Sequence, residues 1–161
     1  MRNIVWCRVD DRLIHGEVVT AWTPYTHANR IVIVDDEVAA DDFNKRVLKS
    51  LAPAGTQVAV LTVKGATKAL QKDPKPGERV LLLTKSPIVF EQLLDGGVAI
   101  KQVNLGGMGI RGERKPFVNN VSASPEEVDS IRRMKNEKGV DVFYQLVPEQ
   151  KVIDISNLLV F

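Results

Sequence analysis

Cysteine is all but missing from this chain: Cys7 is the only one in 161 residues, so no internal disulfide can form to hold the fold together. Long apolar runs are missing too, and nothing approaches the roughly 20 residues that a membrane-spanning helix needs. Aromatic residues make up 6% of the sequence and nowhere interleave with a basic block. With a formal net charge of +2 spread along the chain, nucleic acid is not an expected partner. A glycine-rich phosphate loop ending in Lys-Ser or Lys-Thr is absent, as is a Gly-x-Ser-x-Gly elbow, which removes the sequence support for ATP binding or serine-hydrolase chemistry. Histidine occurs twice, at His15 and His27. Neither stands at metal-ligand spacing from the other or from Cys7, so no metal site is expected, and no other cofactor is implied. The amino terminus, Met1 to Cys7, has one basic residue and too short an apolar run for a secretory signal. With the size of the chain, these absences predict one cytoplasmic domain spanning residues 1–161.

What is present is a series of short apolar runs bounded by charges or turn residues: Ile4–Cys7, Ile31–Val34, Val58–Val63, Val80–Leu83, Val103–Leu105 and Val140–Val147. Runs apolar at successive positions are buried on both faces, as strands of a parallel sheet are. Helix-period segments lie between them. Asp42 to Leu51 places Phe43, Val47, Leu48 and Leu51 on one face, which predicts a helix buried along that stripe. Ser124-Pro125-Glu126-Glu127 combines a capping-box Ser and Glu with Pro at the first helical position, and the helix it opens should stop at Gly139. The tail Val152–Leu159 reads as a short helix. Residues 106–122 break the alternation and suit an edge hairpin or an ordered loop. Strand–helix alternation over most of the length predicts an α/β fold of three layers (α/β/α), with an open, mainly parallel β-sheet.

Ligands of such sheets bind at the carboxyl ends of the strands, near the point where strand order reverses. The richest such segment is Arg8-Val9-Asp10-Asp11-Arg12-Leu13-Ile14-His15-Gly16. It puts one histidine between a strand and a helix, with two arginines and two aspartates beside it. Imidazole is nucleophilic at neutral pH, and a loop entering a helix offers backbone donors and a favourable dipole for a phosphoryl group. In this reading Arg12 forks hydrogen bonds to phosphate oxygens, Arg8 adds a second positive charge, and Asp10 holds an arginine or fixes the imidazole tautomer. The plainer alternative is a surface histidine beside helix-capping aspartates. Asp35-Asp36 suits capping better than magnesium binding, although Asp35 stands where it can line a cleft. Gly107 to Gly112 has G-x-G-x-x-G spacing but does not open a helix, so it is not read as a dinucleotide site. A receiver domain phosphorylated on aspartate is a further alternative, supported by Asp10-Asp11 and Thr84-Lys85; against it, the run Val58–Val63 ends without the acceptor aspartate.

The run Arg8 to Gly16, followed by Val18 and Trp22, resembles the active-site signature of the IIB components of the mannose/fructose/sorbose family of the bacterial sugar phosphotransferase system. The likeness continues through residues 29–36, Asn104-Leu105-Gly106-Gly107-Met108 and Val121-Ser122-Ala123-Ser124, with the N-acetylgalactosamine-type branch nearest. One departure is Glu17, where members commonly carry Gln. The resemblance implies a protein-phosphohistidine–sugar phosphotransferase without metal or nucleotide. His15, through Nδ1, would carry phosphate from a phospho-IIA partner to a hexose or N-acetylated amino sugar bound by membrane IIC/IID components. It places Asp10 and Arg12 beside His15 as catalytic groups, and Arg8, Arg12 and Gly16 around the phosphate. Asn104, Gly106 and Gly107, with Asp35, would line the cleft. The chain would sit at the membrane through the permease, with a second copy of itself as a further partner class.

Overall fold

In the computed structural model, which describes residues 1–159, the apolar runs become strands. In chain order these are β1 (Ile4–Asp10), β2 (Arg30–Val34), β3 (Gln57–Leu61), β4 (Val80–Thr84), β5 (Gln102–Gly107), β6 (Lys115–Val118), β7 (Val121–Ala123), β8 (Asp141–Tyr144) and β9 (Ile153–Asp154). One sheet has the order β3-β2-β4-β1-β5-β8-β9, parallel throughout except for the antiparallel edge pair β8/β9. The chain runs from β1 out to β3, returns through β4 beside β1, and crosses to β5 on the other side. Strand order therefore reverses around β1, and the carboxyl end of β1 is where the fold opens a ligand position. β6 and β7 pair antiparallel as the hairpin expected within 106–122.

Helices cover both faces. α1 (Thr23–Thr26), α2 (Asp36–Ala39) and α3 (Asp42–Ser50) alternate in sequence with the strands, as do α4 (Val63–Ala69), α5 (Pro87–Asp95) and α6 (Pro125–Asn136). Most start on a side-chain cap. Asp35, Asp41, Thr62, Ser86 and Ser124 accept from the backbone N–H of Val38, Asn44, Gly65, Ile88 and Glu127, each satisfying a donor the first turn leaves free. Ser124 and Glu127 form the predicted capping box, and the chain leaves α6 through Gly139 at φ +68°. On one face Cys7, Val9, Val32, Leu82 and Leu105 pack with Phe90, Leu93, Ile131 and Met134. On the other, Ile31, Ile33, Leu81 and Leu83 pack with Leu13, Ile14, Val18, Trp22 and Leu48.

Several expectations need correction. β1 continues three residues past Cys7, so Arg8 and Asp10 are strand residues rather than loop residues. β8 stops at Tyr144 instead of reaching Val147, because the Gln145 side chain turns to the carbonyls of Pro148 and Gln150 and shapes a loop there. The tail is a strand and a 3-10 turn, Ser156–Leu159, rather than one helix, since Asp154 accepts from both the N–H and the hydroxyl of Ser156 and bends the chain. The helix over 42–50 forms, but of its expected apolar face only Leu48 is buried; Phe43 is 67% exposed, with Val47 and Leu51 also outside. This helix packs beside β3, the sheet's edge strand, where little protein is left to cover it.

Candidate active site at the carboxyl end of the first strand

Arg8 and Asp10 point to the same face of β1, as i and i+2 residues of a strand must. Both side chains are fully buried. A charge in that position is tolerable only if it is paired and hydrogen-bonded, and Arg8 meets the condition at both terminal nitrogens, with Nε left without a partner. Its Nη1 donates to Asn104 Oδ1 at 2.7 Å and the Gln145 carbonyl at 3.0 Å, and its Nη2 to Asp10 Oδ2 at 3.2 Å and the Leu146 carbonyl at 3.1 Å. The guanidinium lies 5.0 Å from the centroid of Trp22, which stacks on Trp6 at 4.9 Å and donates to the same Leu146 carbonyl. Gly106 makes the room: a Cβ there would come within 2.1 Å of Arg8 Cζ.

Asp10 gathers the loop around this anchor. Its Oδ1 accepts from Arg12 N and Nε, both at 3.1 Å, and its Oδ2 from Arg12 Nη2 at 3.1 Å as well as from Arg8. His15 Nε2 stands 2.9 Å from the same oxygen. Burial pushes the Asp10 carboxyl up, but the hydrogen bonds to His15 and Arg12 and the charges of His15 and Arg8 outweigh it and hold the group well below the usual carboxylate range. Asp10 is therefore an anion that can only accept, so Nε2 is the ring nitrogen that donates to it, and in the uncharged ring the lone pair is then on Nδ1. Nδ1 makes no hydrogen bond among the described residues. Leu13, at φ +60°, and Ile14 are buried and pin the turn, so His15 is delivered at its end with its side chain 14% exposed. Helix begins at Gly16, which is exposed, with open space where a Cβ would stand. Arg12 is half exposed; the hydrogen bond to Asp10 holds its guanidinium protonated, and its Nη1 faces no protein acceptor among the described residues.

The expected residues thus divide. Asp10, Arg12, His15 and Gly16 stand together at the surface end of β1. Arg8, expected to reach the phosphate, is sealed from solvent with both Nη atoms committed, so its charge acts through Asp10. Asn104, Gly106 and Gly107 are buried beneath the site rather than lining a cleft: Asn104 holds Arg8, Gly106 leaves it space, and the Gly107 carbonyl takes the Asp11 N–H. Asp35 caps α2 and lines a neighbouring open cleft of about 390 Å³ with Lys85, Ser86, Arg111 and Arg114. Arg114 is the residue that sequence reasoning missed. It pairs with Glu127 at 2.8 Å and Asp11 at 3.2 Å, tying the hairpin and α6 to the active loop, and no motif marks it. Nothing in this geometry favours a receiver: Asp10 is buried and saturated with donors, and β3 ends at Leu61 without an acidic residue.

A family model described as "PTS system sorbose subfamily IIB component" matches residues 4–161. The chain belongs to this IIB family. It is 31% identical over 159 residues to the fructose-specific EIIB component of Bacillus subtilis, covering 99% of this chain and 97% of that protein. It is 38% identical over 153 residues to the mannose-specific EIIAB component of Escherichia coli, covering 93% of this chain but 47% of the relative, so the chain spans about half the length of that protein. The crystal structure of the IIBSor domain of the sorbose permease from Klebsiella pneumoniae superposes with a TM-score of 0.89 at 30% identity, covering 98% of this chain and 96% of the other. Its mannose/fructose/sorbose IIB relatives share the α/β fold with a mainly parallel sheet. The two N-acetylgalactosamine-specific IIB components of Escherichia coli are 30% and 32% identical, below the mannose-specific one, so identity does not single out the amino-sugar branch. No helix among the described residues is long and apolar enough to cross a membrane.

Proposed function

We propose that this IIB chain is a phosphoryl carrier of a sugar phosphotransferase system, with Nδ1 of His15 as the atom that carries the group. The observation behind this reading is the His15–Asp10 contact, which engages Nε2 and leaves Nδ1 without a protein partner among the described residues, beside a half-exposed Arg12 with an uncommitted Nη1. In the first step a phosphohistidine of a IIA partner donates. The Nδ1–P bond forms as the donor N–P bond breaks, in line, and Nε2 keeps its proton so that Asp10 faces a positively charged ring. Arg12 meets the charge on the transferring oxygens, and the N–H groups at the helix start add to it. In the second step the phosphoryl group passes to a hydroxyl of a hexose or N-acetylated amino sugar held by IIC/IID membrane components, the hydroxyl proton is released, and His15 returns to its neutral form. The protein would act as a cytoplasmic protein-phosphohistidine–sugar phosphotransferase, held at the membrane by its permease.

The bond itself is the test. Phosphorylation with phosphoramidate or a phospho-IIA donor is expected to give a linkage that survives alkali and is lost in acid. His15→Ala should abolish labelling, and replacing His27 should not. Release by hydroxylamine would identify an acyl phosphate and overturn the proposal.

A further inference from the structure

Arg12 is shared by two carboxylates. Asp10 takes the Nε–Nη2 edge of its guanidinium through two hydrogen bonds and its backbone N–H through a third, whereas Glu17 approaches from the helix side with Oε2 3.5 Å from Nη2, an ion pair at the outer limit of hydrogen bonding. That Glu17 oxygen is buried and has no hydrogen-bond partner, although the side chain as a whole is 37% exposed. A carboxylate oxygen withdrawn from water and paired only at that distance is weakly held. Arg8, Arg12, Asp10 and Glu17 together carry two positive and two negative charges, which cancel before any phosphoryl group arrives. A phosphoryl group adds roughly 1.5 to 2 negative charges and needs the same guanidinium.

We propose that Glu17 is a competing counter-ion of Arg12: it offsets the guanidinium charge from the Nη2 side while His15 is free and opposes the phosphoryl group that meets the same guanidinium once His15 carries it. The consequence is a weakly held phosphate with a high transfer potential, which suits a residue that must release the group as readily as it accepts it. Glu17 does not touch the reacting atoms; it acts through Arg12 and is a positioning residue. The inference rests on His15 being the carrier.

A small-molecule exchange separates the two ideas. The protein is equilibrated with imidazole and N-phosphoimidazole, and phospho-His15 is quantified by phosphorus NMR. One N–P bond breaks as the other forms, and each ring keeps its proton, so the ratio is an equilibrium constant. Glu17→Gln is expected to raise occupancy of His15 about tenfold, equivalent to ~1.4 kcal/mol, and Glu17→Lys further, a ranking by charge that a merely structural role would not give. In the free protein, Glu17→Gln should shift the Arg12 side-chain nitrogen signals toward those that phosphorylation produces in the wild type. Equal constants in all three proteins, with His15 phosphorylated in each, overturn the role of Glu17 and leave the carrier reading intact. No phosphate on His15 in any of them overturns both.

Discussion

Gly106 carries more of the site than its size suggests, because Arg8 occupies the space where a side chain would be. Gly106→Ala is expected to push the buried guanidinium off its acceptors and cost about 3 kcal/mol or more, read from the denaturant midpoint. His15 labelling should fall with it, since Asp10 loses its anchor; full stability with full labelling would show that Arg8 is not the base on which the site is built. At this scale the sequence is informative about residues close together along the chain and uninformative about partners that only the fold brings in. His15, Asp10 and Arg12 lie within six positions of one another, and their types alone suggest phosphate chemistry. Arg8 has the same charge as Arg12, but its partners Asn104 and Gln145 are 96 and 137 residues away, and only the folded sheet reveals them.

Among the elements, β1 shows how a strand can run past its last apolar residue. A strand is expected to stop at a charge, yet Arg8 and Asp10 continue it, because each supplies the other's counter-ion, and Asn104 on β5 with the Gln145 and Leu146 carbonyls supplies the remaining acceptors. By contrast, α6 was legible to the residue at its start, since a capping box is a local pattern that needs no tertiary partner. Ser124→Ala should cost about 1 kcal/mol by chemical denaturation; an unchanged midpoint would mean that the tertiary partners of Glu127 hold the turn without its cap. The helix over 42–50 shows the opposite case: its apolar period is real, but period does not specify which side the core lies on. Phe43→Ser should change stability by less than about 0.5 kcal/mol, as an exposed site does.

For the molecule as a whole, the alternation of strands and helices made the fold class readable, whereas strand order and the reversal around β1 depend on long-range pairing that no local pattern encodes. Charge also acts at this scale. Hydrogen bonds from Arg133 and Lys138 hold Glu91 down at about 2, and its pairings tie α5 to the end of α6. A depressed carboxyl contributes stability that is complete above its unfolded value, near 4.5, and is lost as pH falls through its folded value. Glu91→Gln should therefore cost about 1–2 kcal/mol at pH 7, and its urea midpoint should converge with that of the wild type near pH 2. A gap that stays constant across that range would mean the pairing is not the cause.

The proposed carrier is one atom, Nδ1 of His15. Nitrogen-15 NMR of the phosphorylated protein with labelled histidine reads it directly. Phosphorus coupling is expected at His15 Nδ1 with the proton retained on Nε2 against Asp10; coupling at Nε2, at His27, or at no histidine nitrogen would contradict the proposed carrier.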